Sequence, residues 1–407
     1  MKQLSALFAS LALSTSILAQ SDCGAGRYLY PPLFDSVTVT TGIQYGNNTA
    51  VAGGGNQILR MDVYEPAGDT LQDRPVVLVA FGGSFIGGSR EDVAELCERF
   101  AALGYVAVAP DYRVGFFFPN SNTTQLAVTR CMHDLRGCIR FLRKSVAEDG
   151  DPWRIDPERI IVGGVSAGGI GAVQVAYLDQ SSEIPPVLYD DTVSIGAIQG
   201  NSGSPGYPSH VSAAWSMSGA IGDTSWIQTG DVPLVSLHEV GDGVVPYGTE
   251  EVSVIGIPTG LVASGSSDIH LRMDNVGVPN CFFSYPGNGH VGYLTSDLEN
   301  AVGKVAAFLA EVVCALPITC GNLATGGPED PSMQDVPSLF PNPTTGLLNV
   351  FVRTSTWVQV CDASGRTVLH ERVGAGQHAL DLSAQPAGLY TLRFIGDGVR
   401  IERVVKQ

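Results

Sequence analysis

The chain has 407 residues, more than one ordinary core accommodates, so at least two domains are expected. Apolar residues make up 44% and charged residues 15%, a packed globular composition that excludes general disorder. The formal net charge of −17 argues against nucleic acid or an anionic membrane as partner, because both need clustered lysine and arginine.

The N-terminus, MKQLSALFASLALSTSILAQSDCG, places Lys2 before an apolar stretch from Leu4 to Ala19 and then turns polar. This is the pattern of a secretory signal peptide over residues 1–20, too short to span a membrane, with cleavage expected near Ala19 to Ser21. No later segment has 18 unbroken apolar residues, so no transmembrane segment is expected in the mature chain. Eight cysteines in an exported chain permit disulfides. Cys314 and Cys320 have the spacing to close a short loop. Cys97, Cys131 and Cys138 fall on predicted helices, either paired or buried, and Cys361 stands alone in the C-terminal region.

From about residue 37 the chain alternates between strand and helix patterns. SVTVTTGIQY and ILRMDVYEP read as two early strands around a glycine-rich turn. RPVVLVAF is a continuous apolar run, as in a strand buried on both faces. Residues 90–103 are helical and stop at Gly104, YVAVAP is a buried strand, and 124–147 is a long amphipathic helix. RIIVGG is a strand and 167–179 a helix; VSAAWSMSG, VPLVSLHEV and NCFFSYPG are further strands, and a last helix covers about 294–315. Residues 21–320 are therefore expected to form an α/β domain, a mostly parallel sheet flanked by helices, with ligands at the carboxyl ends of the strands.

Residues 321–337, GNLATGGPEDPSMQDVP, lack periodicity and read as a linker. Beyond it the pattern alternates with period two and no helix fits, so 338–407 should be a small all-β sandwich. Its segments LFPNPTTGLLNV, DASGR, LDLSAQPAGLYTLRF and the closing RVVKQ resemble the sorting domain of cargo of the Bacteroidetes type IX secretion system. The resemblance implies export through the periplasm and across the outer membrane by that machinery, to the cell surface or the medium. A carbohydrate-binding or adhesive module is the alternative, and with Trp357 as its only tryptophan the tail offers no aromatic sugar platform.

The chemistry centres on GGVSAGGIG, residues 163–171. Gly164-Val165-Ser166-Ala167-Gly168 is the one G-x-S-x-G match and lies between a buried strand and a helix, as a nucleophile elbow requires. Ala167 opens the helix, so its N–H faces a carbonyl bound at Ser166, aided by the helix dipole. A serine needs a base, and in this strand–elbow–helix arrangement the chain order is serine, acid, histidine. Of seven histidines, His290 fits best, in the glycine-rich loop YPGNGHVGY beyond a strand; His270 lies on a predicted amphipathic helix. Asp242, in HEVGDGVVPYG, is the acid expected to orient the imidazole, with Glu239 as competitor and His238 as a structural hydrogen-bonder. The loop AFGGSFIGGSRED after the third strand offers Gly82, Gly83 and Ser84 as further oxyanion donors. Phe116, Phe117 and Phe118 are candidate substrate-pocket residues, equally suited to a core.

Over residues 58–313 these motifs resemble the α/β-hydrolase superfamily, in its branch of serine esterases and lipases. FGGSFIGGS is similar to the HGGG-type oxyanion loop, with Phe81 in place of the usual histidine and Ser84 in place of the third glycine; IDPERIIVGGVSAGG is similar to the segment entering a G-x-SAGG elbow. The resemblance implies a secreted serine carboxylic-ester hydrolase that needs no metal or organic cofactor. Its substrates would be short-chain, aryl or polysaccharide-linked esters. A peptidase on the same fold and an inactive surface-binding homologue are the alternatives.

Overall fold

The computed structural model describes residue 23 and residues 26–115, 118–185, 196–320, 338–340, 343–352, 355–362, 366–374, 376–395 and 399–407. The signal-peptide stretch 1–20, the linker 321–337 and the pair Phe116 and Phe117 lie outside the described residues. The chain divides into two compact units, Met1–Leu323 and Ala324–Gln407.

In the first unit, β1 (Val37–Thr49) and β2 (Asn56–Pro66) form an antiparallel pair, followed by β3 (Arg74–Ala80). Helix α1 (Ala94–Ala102), entered by a short 3-10 turn, leads to β4 (Val106–Pro110), and the long α2 (Ser121–Glu148) to β5 (Ile155–Val165). Then come α3 (Ala167–Tyr177), β6 (Ala213–Met217), the two-residue β7 (Ala220–Ile221) and β8 (Leu234–Glu239). The hairpin β9 (Thr249–Val254) and β10 (Ile257–Gly265), α4 (Ser266–Val276) and β11 (Asn280–Tyr285) follow. The unit ends in α5 (Tyr293–Ser296) and α6 (Leu298–Val313). The single last helix expected from the sequence is thus broken at Asp297, where ψ is 34° and φ −151°.

Eight strands make the main sheet in the order β1-β2-β4-β3-β5-β6-β8-β11, and from β4 to β11 every neighbouring pair is parallel. Every residue of β3 and β4 is buried, which requires cover on both faces and explains their uninterrupted apolar sequences. Trp215 on β6 is fully buried and occupies the space where a side chain at Gly163 would stand, so the first glycine of GGVSAGG is a packing requirement. A second sheet, β7-β10-β9, is antiparallel and was not expected from the sequence.

The cysteines pair as Cys23–Cys314 and Cys281–Cys320. The short Cys314–Cys320 loop is therefore not formed: each of these cysteines meets a partner brought up by the fold. Cys97, Cys131, Cys138 and Cys361 are free and buried.

The second unit has two antiparallel sheets. One orders β12 (Ser338–Phe340), β13 (Leu347–Val352) and β16 (Gly376–Asp381); the other orders β15 (Thr367–Val373), β14 (Thr356–Cys361), β17 (Gly388–Ile395) and β18 (Val399–Lys406). Leu348, Val350 and Leu380 from one sheet share a core with Val358, Val360, Leu392 and Val404 from the other, which makes a small sandwich.

Candidate active site

Ser166 sits between β5 and α3 at φ 55° and ψ −121°, a conformation that costs a non-glycine residue about 1–3 kcal/mol. Its N–H bonds Met217 O at 2.7 Å, which ties the turn to the neighbouring strand. A Cβ on Gly164 would lie 2.5 Å from Ala80 O, and one on Gly168 would overlap the same carbonyl. The glycines around the serine are absent side chains that let helix, turn and strand touch.

Asp242 follows β8 and His290 follows β11, so both stand with Ser166 at the carboxyl ends of parallel strands. His290 Nε2 is 2.7 Å from Ser166 Oγ, and His290 Nδ1 is 2.8 Å from Asp242 Oδ2. The other carboxylate oxygen, Oδ1, accepts the N–H groups of Val244 at 2.9 Å and Val245 at 3.0 Å. His238 Nε2 stands 3.3 Å from Oδ2, while its Nδ1 meets Ser266 Oγ at 2.8 Å. Burial by itself would raise the Asp242 pKa. Hydrogen bonds from His238, His290 and the Val245 and Val244 N–H groups outweigh it and hold the carboxyl well below the usual range.

The competing acid, Glu239, does not meet the imidazole; it accepts the N–H of Gly289 at 2.7 Å and of Gly292 at 2.5 Å. His270 is buried on α4 with Nδ1 2.6 Å from Asn280 Oδ1, and burial pulls its pKa down to about 4.

The loop after β3 runs beside the serine. A Cβ on Gly82 would be 3.3 Å from Ser166 Cβ and 3.9 Å from its Oγ. Gly83, Ser84 and Phe85 take successive positive φ values of 117°, 55° and 59°, and a side chain on Gly83 would overlap Gly87 O. Among the described residues, no backbone hydrogen bond engages the N–H of Gly83 or Ser84, and the Ala167 N–H is an orphan donor of the first helical turn. Phe81 is turned into the core: it stacks on Tyr112 at 4.1 Å, and its carbonyl accepts the Tyr112 hydroxyl at 2.9 Å.

Ser166, Ala167, Ser84 and Phe85 open onto a cavity of about 430 Å³. Much of its wall is apolar, from Val128 on α2, Ile170 on α3, Trp226, and Val252, Val254 and Leu261 of the small sheet. Gln174 and Thr124 add buried polar groups, and Glu183 and Asp223 add carboxylates, with no lysine or arginine among the described lining residues. Phe118 was a candidate pocket residue. It is 88% exposed, with a φ of 57°, and lies outside the lining; aromatic lining comes from Phe85 and Trp226 instead. The small sheet's share of the wall went unread, although Val252 and Val254 alternate as a one-sided strand does. Among the described residues, no cluster of three or more His, Cys, Asp or Glu side chains is placed to hold a metal ion.

The mostly parallel sheet flanked by helices, with the elbow after β5, gives the first unit an α/β-hydrolase fold. More narrowly, residues 61–203 match the BD-FAE family, which is esterase-like, and residues 338–407 match the secretion system C-terminal sorting domain, of the type IX kind. A search of the curated proteins returns no match. Solved structures similar to this chain include esterase 2 of Thermogutta terrifontis phosphoramylated by tabun, with 22% identity, 70% of this chain and 97% of that chain covered, and a TM-score of 0.48. The apo form of that esterase gives 22%, 70%, 97% and 0.47, and its propionate-bound form 22%, 68%, 94% and 0.46.

Proposed function

We propose that the protein is a secreted serine carboxylic-ester hydrolase working through an acyl-enzyme. The observation that carries this reading is the continuous line Ser166–His290–Asp242, with contacts of 2.7 and 2.8 Å, at the mouth of a largely apolar cavity. Ser166 Oγ attacks the ester carbonyl while His290 Nε2 takes its proton. Asp242, kept ionised by its four donors, fixes the tautomer that leaves Nε2 free and stabilises the imidazolium. The N–H groups of Ala167 and of the Gly82–Ser84 loop receive the oxyanion. His290 returns the proton to the departing alcohol, then activates a water that cleaves the acyl-enzyme and releases Ser166 and the acid.

The cavity volume lies within the range of small-molecule pockets, which suits short-chain, aryl or polysaccharide-linked esters with a compact acyl or alcohol group. The type IX sorting domain supports export to the cell surface or the medium. The direct test is Ser166→Ala, assayed on p-nitrophenyl esters of increasing chain length, with fluorophosphonate labelling of the wild type. Hydrolysis should vanish in the variant and labelling should map to Ser166. Unlabelled wild type with equal ester turnover in both proteins would sink the reading.

A further inference from the structure

We propose that Glu239 is a positioning residue for this reaction: its carboxylate is the mould around which the His290 loop closes. The proposal rests on the hydrolase reading above. Glu239 ends β8, three residues before Asp242, and is 5% exposed. Its Oε2 accepts the Gly289 N–H at 2.7 Å and its Oε1 the Gly292 N–H at 2.5 Å, so the two bonds straddle His290. Beside them, Val240 N–H bonds Tyr285 O at 3.0 Å and Gly241 N–H bonds Gly287 O at 2.8 Å. The acid loop and the histidine loop are thereby zipped together, with the Glu239 side chain closing the far end.

The glycines of GNGHVG record the same carboxylate. A Cβ would stand 2.9 Å from Glu239 Oε2 at Gly287, 2.8 Å from it at Gly289, and 2.7 Å from Oε1 at Gly292. Only Gly287 also needs glycine for its backbone, with φ 149°. Gly292 lies at φ −60° and ψ −26°, where any residue is comfortable, and Gly289 is outside the positive-φ region. A Cβ at either of these two positions would instead push the Glu239 carboxylate from its place.

Glycines make a loop entropically costly to order, and an imidazole displaced by about 1 Å loses about a hundredfold in rate. A buried carboxylate held by N–H donors supplies the order. No ion pair reaches Glu239 among the described residues, so its charge is compensated by backbone dipoles alone. A negative charge beside the loop also favours the imidazolium formed when Ser166 is deprotonated.

The test uses the full chain and starts from Ser166→Ala. Wild-type turnover in that variant would overturn the hydrolase reading, and this proposal with it. With turnover through Ser166 established, Glu239→Gln keeps the side-chain shape but turns an NH2 toward one of the two N–H groups. Its kcat for p-nitrophenyl acetate should fall about 30-fold, with KM within about threefold of wild type. The acidic limb of its kcat/KM–pH profile should move to lower pH, because a negative charge near the imidazole is gone; a purely structural residue would lower Tm without moving that limb. Gly292→Ala retains the charge but displaces the carboxylate, and its kcat should fall about tenfold. Wild-type kcat with an unmoved limb in Glu239→Gln, or wild-type kcat in Gly292→Ala, would overturn the clamp while leaving the hydrolase reading intact. Should Glu239→Gln fail to fold, Gly292→Ala decides.

Discussion

Asp242→Asn removes a charge without changing shape, and the hydrogen bonds around the carboxylate dictate how the amide must sit. Oδ1 faces two donors that cannot become acceptors, the N–H groups of Val244 and Val245. The asparagine oxygen is held there, and the amide nitrogen takes the place of Oδ2, toward His290 Nδ1 and His238 Nε2. His290 must then accept at Nδ1, so its proton moves to Nε2, the atom 2.7 Å from Ser166 Oγ. A protonated Nε2 cannot take the serine proton. In serine proteases the same exchange of the triad aspartate for asparagine traps the wrong tautomer and costs about 10⁴ in kcat, or about 5 kcal/mol of transition-state stabilisation. We expect about that loss on p-nitrophenyl acetate, an equal fall in the rate of fluorophosphonate labelling, and little change in KM. Stability should drop by about 1–1.5 kcal/mol per charged hydrogen bond exchanged for a neutral one, measurable by urea unfolding. A folded Asp242→Asn protein retaining kcat within about tenfold of wild type would refute the tautomer argument.

Reduction of Cys281–Cys320, which closes a separation of 39 residues, should cost about 4 kcal/mol by loop entropy, read as a lower Tm in dithiothreitol. Burial, with Arg136 nearby, pushes the pKa of His133 down to about 3. The unfolded chain therefore binds a proton between roughly pH 6.5 and 3 that the folded protein refuses. Stability at pH 5 should lie about 2 kcal/mol below that at pH 7 on this account, and urea unfolding of His133→Gln should show a smaller difference. With Glu183 and Asp223 in the cavity wall and no described cation there, a p-nitrophenyl hemisuccinate should react about tenfold more slowly than the butyrate, a gap that narrows in high salt.

Much of this was legible because the signals are local. β3 and β4 are unbroken apolar runs, and Ser166, Asp242 and His290 each follow a segment that reads as a strand, so chain order was enough to nominate them. What stayed illegible depends on encounters across the fold. Cys314 and Cys320 are near in sequence, yet each bonds a residue that the packing of β11 or the N-terminal segment delivers. β9 is exposed on both faces at its start, Thr249 to Glu251, and β10 at Ile257 and Pro258, which blurs the alternation that marks a strand. Glu239 reads as a spare acid because its partners are main-chain N–H groups 50 and 53 residues away. Phe81 stands where the resembled loop has a histidine, and stacking on Tyr112 gives it a core role that no spacing foretells.

Among the described residues β11 is an edge strand of the main sheet, paired with β8 alone, and it is the strand that leads to His290. Cys281 near its start is fastened to Cys320, beyond the last helix. Under reducing conditions that fastening is open, and the strand is held to the sheet by its pairing with β8. The same bond that stabilises the fold therefore also fixes the strand from which the His290 loop departs, so the position of that loop depends on a covalent link made outside the sheet.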